Sequence, residues 1–164
     1  MVKIQRVPQE GLRITATMET PQRVRVQARD KGLRLDMSKL LGGTGTGLMP
    51  LEALLAAYAG SLNVVGNFVA KTMDFDLRQW EFTIWAEFDP RGIWGLKKVS
   101  KAIQVVHLEA RVTTTETERR LAQLRSKMAE RDPVQNLLKR AGVRLLETWS
   151  RVPPQGAGKK SRKK

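Results

Sequence analysis

The chain has 164 residues, 41% of them apolar and 28% charged, which is the composition of an ordinary globular domain and excludes a disordered or fibrous chain. It has no cysteine and a single histidine, His107, so disulfides, thiolate and multi-histidine metal sites, iron–sulfur clusters and thiol nucleophiles are excluded. The net charge is +14; residues 151–164 carry six of these positives and no acid, leaving +8 on residues 1–150, so body and tail both suit anionic partners.

Met1–Gln9 is basic but lacks the apolar run of ~7–15 residues that a signal peptide needs, and a cytoplasmic protein is expected. Leu12, Ile14, Ala16 and Met18 alternate with polar residues, the period of a half-buried strand. Pro21-Gln22 turns the chain into a second strand with Val24, Val26 and Ala28 inward and Arg23, Arg25 and Arg29 outward. Lys31-Gly32 is expected to turn it again into a short third strand, Leu33–Met37, completing an antiparallel meander.

Gly42–Gly47 is a Gly/Thr loop. Leu48 and Met49 stand where a phosphate loop would have Lys and Ser/Thr, so no nucleotide-cofactor motif is present. Pro50 suits the first turn of a helix over Leu51–Lys71. Residues 53–70 of that helix carry no charge. With Gly60, Ser61, Asn63, Gly66 and Asn67 inside it, the run reads as a buried central helix rather than a membrane span. Being apolar nearly all round, it calls for cover from its own sheet and from a second subunit, with Gly60 and Gly66 marking close approach.

Trp80, Phe82, Ile84, Ala86 and Phe88 alternate in a long strand that ends at Asp89-Pro90-Arg91-Gly92. A loop over Ile93–Lys98 carries Trp94, and Val106, Leu108, Ala110 and Val112 alternate in the next strand. Thr115 and Glu118 have capping-box spacing before the stripe Leu121, Leu124, Met128. Asp132-Pro133 separates this helix from a short one over Val134–Arg140. Gly142 closes that helix, Val143, Leu145 and Trp149 form a last strand, and residues 153–164 read as a disordered basic tail. The order is β-β-β-α-β-β-α-α-β, an α+β fold without internal repeats.

Gly42–Asn63, GGTGTGLMPLEALLAAYAGSLN, resembles the hallmark of the OsmC/Ohr superfamily (osmotically induced and organic hydroperoxide resistance proteins): a Gly-rich loop and a Pro leading into a helix of the form P-x-E-L-L-x-A-x-A-G-C. Asp132-Pro133-Val134 resembles that family's second hallmark, C-P-V at the end of a later helix. The resemblance implies an OsmC-like fold over residues 1–152, with antiparallel sheets packed around a long central helix in an intertwined homodimer. It also implies a site at the subunit interface. Family peroxidases reduce hydroperoxides there with two cysteines, helped by a glutamate directly after the proline and an arginine from the N-terminal strands.

In this chain Ser61 stands at the first cysteine position and Asp132 at the second. Leu51 follows the proline, Glu52 comes one residue later, and Arg23 is the best match for the arginine. A hydroxyl and a carboxylate cannot replace an oxidisable thiolate and its resolving partner, so peroxidase chemistry is not expected. Each residue also has a plainer reading. Ser61 would bond a carbonyl one turn back, Asp132 would cap a helix, Glu52 would answer a helix dipole and Arg23 would face solvent. His107 has no partner pattern, and Ser61 lacks the G-x-S-x-G elbow of a serine hydrolase. What remains is a dimer keeping a pocket for a small apolar or anionic ligand. Two further readings stay open: a polyanion or nucleic-acid binder using basic surface and tail, and an enzyme of unrelated chemistry in the same pocket.

Overall fold

The computed structural model describes residues 11–92, 94–98 and 103–154 and is α+β. Its contacts divide into two compact units, Met1–Leu54 and Leu55–Lys164, with one helix running across the boundary. The expected tail therefore lies, from residue 155 on, outside the described residues. Pro153 and Pro154, also expected in the tail, are described, and Pro154 is buried.

The first unit is a meander of β1 (Thr15–Thr20), β2 (Arg23–Ala28) and β3 (Lys31–Asp36), antiparallel in the order β1-β2-β3. The second turn is not at Lys31-Gly32. Lys31 pairs with Ala28 and Gly32 with Gln27, and the chain reverses at Arg29-Asp30, where Arg29 takes a left-handed φ of 56°. A two-residue reversal needs such a conformation, and the inward alternation of Val24, Val26 and Ala28 sets the register from the other side. The expected half-burial is also not met within one chain. Leu12, Ile14, Met18 and Leu33 are exposed, and Asp36 is the only buried residue described in β1 to β3.

The helix α1 (Pro50–Thr72) buries one stripe, Tyr58, Leu62, Gly66, Val69 and Ala70. Val64 and Phe68, on its other side, are 69% and 45% exposed. Gly66 is where the chain comes closest, against Trp80, as expected; at Gly60 nothing stands within 4 Å.

The second unit holds β4 (Gln79–Phe88), β5 (Ile103–Thr113), α2 (Glu118–Arg131), α3 (Pro133–Arg140) and β6 (Arg144–Val152). β4 and β5 are antiparallel, but β6 runs parallel to β5, so this sheet is mixed where only antiparallel pairing was expected. The cause is the crossover: two helices separate β5 from β6, and a connection of that length returns the chain in the same direction. Val106, Leu108, Ala110 and Val112 from β5 form the core with Leu121, Leu124 and Met128 of α2 and Leu138 of α3. α2 is capped by Thr117, whose side chain accepts from the Arg120 amide, and not by Thr115. Thr115 is engaged elsewhere: its hydroxyl donates to Asp76 at 2.6 Å.

Candidate functional site

The Gly/Thr loop of the first unit closes on a carboxylate of its own chain. Asp36, 1% exposed, accepts from the amides of Thr44 and Thr46 at 3.1 Å and from the Thr44 hydroxyl at 2.5 Å. These donors hold its carboxyl at a pKa of about 2, the Thr44 side chain contributing most. Backbone amides that would cradle a phosphate in other loops are thus already occupied by an internal anion. Glycine is required at positions 43 and 47, where a Cβ would lie 1.9 Å from the Met37 carbonyl oxygen and 2.5 Å from that of Arg34.

Glu52 and Arg23 also belong to this unit. Glu52 occupies the third position of α1 and accepts from the Met49 amide at 2.8 Å, one half of a capping box. Arg23, rather than facing solvent freely, has its Nε 3.0 Å from Glu19 Oε2 and donates through Nη1 to Thr44 Oγ1 at 3.3 Å. The Glu19 contact is an ion pair off the hydrogen-bonding line, since Arg23 Nε has no hydrogen-bond acceptor among the described residues.

Ser61 and Asp132 lie in the second unit. Ser61 is half-buried on α1, and among the described residues its hydroxyl makes no hydrogen bond, so the expected bond to a carbonyl one turn back is absent. Asp132 is wholly buried between α2 and α3 and does what the plain reading asked of it. Its amide donates to the Met128 carbonyl, ending α2, and its Oδ1 accepts from the Gln135 amide at 2.7 Å, starting α3. Its Oδ2 has no hydrogen-bond partner among the described residues.

A polar network links the surroundings of these two positions. Three residues before Ser61, the Tyr58 hydroxyl accepts from Gln135 Nε2 at 3.2 Å, and Gln135 stands three residues after Asp132. Gln135 Nε2 also donates to Glu147 Oε1 at 2.5 Å. Glu147 Oε2 in turn accepts from Trp149 Nε1 at 3.1 Å and from Arg125 Nε at 3.0 Å. Burial, followed by the negative charge of Glu147, raises the Tyr58 pKa above that of an ordinary phenol, so Tyr58 is a neutral hydroxyl here.

Sequence reasoning did not single out Tyr58, Gln135 or Glu147. The available signal was Glu147 itself, an acid on the inward side of a strand between Leu145 and Trp149. It also left His107 without a partner. His107 stacks on Trp85 at 4.7 Å, with the rings within 2° of parallel, and its Nε2 lies 2.7 Å from Glu87 Oε1. This pair lies on the outer side of the sheet, so Ser61 has no histidine base. Among the described residues no three His, Asp or Glu side chains converge as metal ligands do.

The model of a family described as "OsmC-like protein" matches residues 43–145. An OsmC-like protein from Mycoplasma pneumoniae is similar in structure, with a TM-score of 0.77 at 16% identity over 88% of this chain and 99% of that one. An organic hydroperoxide resistance protein OsmC from Legionella pneumophila gives 0.64 at 20% identity, over 87% and 97%. An organic hydroperoxide resistance protein from Elizabethkingia anophelis, solved with thiocyanate bound, gives 0.67 at 18%, over 87% and 97%. Comparison with the curated proteins finds no match. At these identities the structures speak for the fold alone, and the match over most of the chain makes it a member of the OsmC-like protein family.

Proposed function

We propose that this chain is a homodimeric OsmC-like protein that does not reduce hydroperoxides and keeps a small-ligand pocket where the central helix meets a second subunit. The observation that carries the reading is the chemistry at the two family positions. Among the described residues Ser61 has no hydrogen-bond partner, and Asp132 is committed to joining two helices. Neither can be oxidised by a peroxide and recovered by a thiol.

Dimerisation is supported by apolar surface that one chain leaves uncovered. α1 is long and apolar enough to cross a membrane, yet only 28% of that stretch is buried. Its exposed side pairs Val64 and Phe68 with Asn63 and Asn67, whose amides would be costly in lipid but tolerable against another protein. The apolar side of the first sheet also leaves side chains uncovered, with Leu12, Ile14, Met18 and Leu33 exposed. A cytoplasmic dimer that joins such surfaces answers both needs. The ligand class this reading favours is small and apolar or anionic, in keeping with the charge of +14.

The test combines two measurements. Purified protein with a dithiol reductant should consume cumene and tert-butyl hydroperoxide no faster than buffer, and native mass spectrometry should show a dimer that carries a small ligand from the expression host. Robust peroxide turnover overturns the non-peroxidase reading; a ligand-free monomer overturns the other half.

A further inference from the structure

The polar side of the first sheet concentrates arginine around a single acid. Arg25 Nε donates to Glu19 Oε1 at 2.9 Å and Arg34 Nε to Glu19 Oε2 at 3.0 Å, while Arg23 Nε stands 3.0 Å from the same carboxylate. Arg25 and Arg34 face each other directly across β2 and β3. Like charges opposite one another destabilise a sheet unless something holds them. Glu19, its side chain 11% exposed beneath them, is that holder, but it neutralises only one of three guanidinium groups.

The arrangement leaves charge pointing outward. Arg25 and Arg34 are more than half exposed, and both spend their Nε on Glu19. Among the described residues their Nη nitrogens bond to nothing, so two planar donor groups are fixed at the root and open at the tip. The other nearby acid, Asp36, is buried and taken up by its own loop. Arg25 and Arg34 stand about 5 Å apart across the ladder, while Arg23, mostly covered and with Nη1 spent on Thr44, adds charge beneath them rather than an open donor. Two guanidiniums side by side on a flat sheet surface fit neighbouring phosphates of a chain better than a single small anion, which needs a concave site.

We propose that the Arg25–Arg34 side of the first sheet binds the sugar–phosphate backbone of nucleic acid without reading its sequence. Residues 1–54 contain no Phe, Tyr or Trp, so this unit has no platform for stacking bases, and contact is with phosphates. Guanidinium forks anchored by Glu19 donate to phosphate oxygens and release the counterions that neutralised them. The proposal is independent of the pocket reading above, because it uses neither α1 nor Ser61.

Fluorescence anisotropy with the full chain and a labelled 20-base-pair duplex over a salt series tests it. Replacing both guanidiniums, R25Q/R34Q, should weaken binding about tenfold or more at low salt and lower the slope of log K against log salt by about two. R25K/R34K, which keeps the charge, should retain most of the binding. An unchanged circular dichroism spectrum for R25Q/R34Q separates lost charge from lost folding. A variant with Lys159, Lys160, Arg162, Lys163 and Lys164 all changed to Gln should still respond to R25Q/R34Q. The proposal is overturned if R25Q/R34Q binds with unchanged affinity and slope, or if neutralising the tail alone abolishes binding. It is equally overturned if the arginine-dependent ligand proves to be inorganic phosphate or anionic vesicles while duplex does not bind.

Discussion

Gly66 and Trp80 meet with no space for a methyl group between them: a Cβ on Gly66 would lie 1.9 Å from Trp80 Cη2 and 2.8 Å from Met128 Cε. The indole is also tied by its own hydrogen bond, Nε1 donating to Asn63 Oδ1 at 3.0 Å, so it cannot slide away without breaking that contact. Gly66→Ala gains helix propensity worth about 1 kcal/mol but must displace the ring, at about 1–3 kcal/mol. A net loss of stability in urea is expected. Gly60→Ala, with nothing within 4 Å in its own chain, meets no such clash there and should cost less in the same measurement. Equal effects at the two sites would refute the packing argument.

That contrast also marks what was legible in the sequence. Period-two alternation located β2, β4 and β5 because each has a wet side and a dry side, and Pro50 located the start of α1. Local competition hid the rest. Thr115 and Thr117 both suit a helix start, and which of them caps depends on Asp76, thirty-nine residues before Thr115, claiming the first. The direction of β6 depends on how α2 and α3 pack, which alternation within β6 cannot express. At the candidate site the substitutions at Ser61 and Asp132 were visible from motif spacing. The Tyr58–Gln135–Glu147 network was not, because its members lie 77 and 12 residues apart and meet only through tertiary packing.

Asp36 makes the Gly/Thr loop sensitive to acid. Its folded-state pKa, about 2, lies below the ~3.9 of a free aspartate. Folding therefore favours the ionised form. The contribution is fully present above about pH 4 and is lost as pH falls through about 2. Urea midpoints of the wild type should drop across this window. Asp36→Asn should be less stable at neutral pH, because an amide cannot accept as many bonds from Thr44 and Thr46, and its midpoint should vary less over the same pH range. An identical pH profile for the two proteins would rule out Asp36 as the titrating group.

Asp132 should behave as a cap. Asp132→Ala leaves the Gln135 amide unsatisfied and should cost about 1 kcal/mol, while Asp132→Asn, which keeps an acceptor, should cost less. The same position tests the geometry of the family site, since Ser61 and Asp132 each lie three residues from one end of the Tyr58–Gln135 hydrogen bond. The resemblance to two-cysteine relatives predicts that the double variant S61C/D132C forms an internal disulfide under mild oxidation, seen as a loss of two titratable thiols without a change in subunit mass on a non-reducing gel. Two persistently free thiols would show that the positions do not face each other within disulfide range.

The last expectation concerns the exposed side of α1. Val64 and Phe68 lie one helical turn apart, and Asn67 bridges back to Asn63 through its side-chain amide at 2.8 and 3.1 Å, leaving an ordered, largely apolar surface. Exposing it permanently would forfeit roughly 1.5–3 kcal/mol for each large side chain that a partner could bury. A carboxylate placed in a dry interface carries a desolvation penalty that no partner relieves. Phe68→Glu should thus convert a dimer into a monomer by light scattering at micromolar concentration, while Lys127→Glu, a charge reversal on the exposed side of α2, should leave it dimeric. Because Phe68 is not among the buried residues of its own chain, the monomer should keep the circular dichroism of its second unit, which separates lost assembly from lost folding. A wild-type protein that is already monomeric, or a Phe68→Glu variant that stays dimeric, would place the subunit contact elsewhere or remove it altogether.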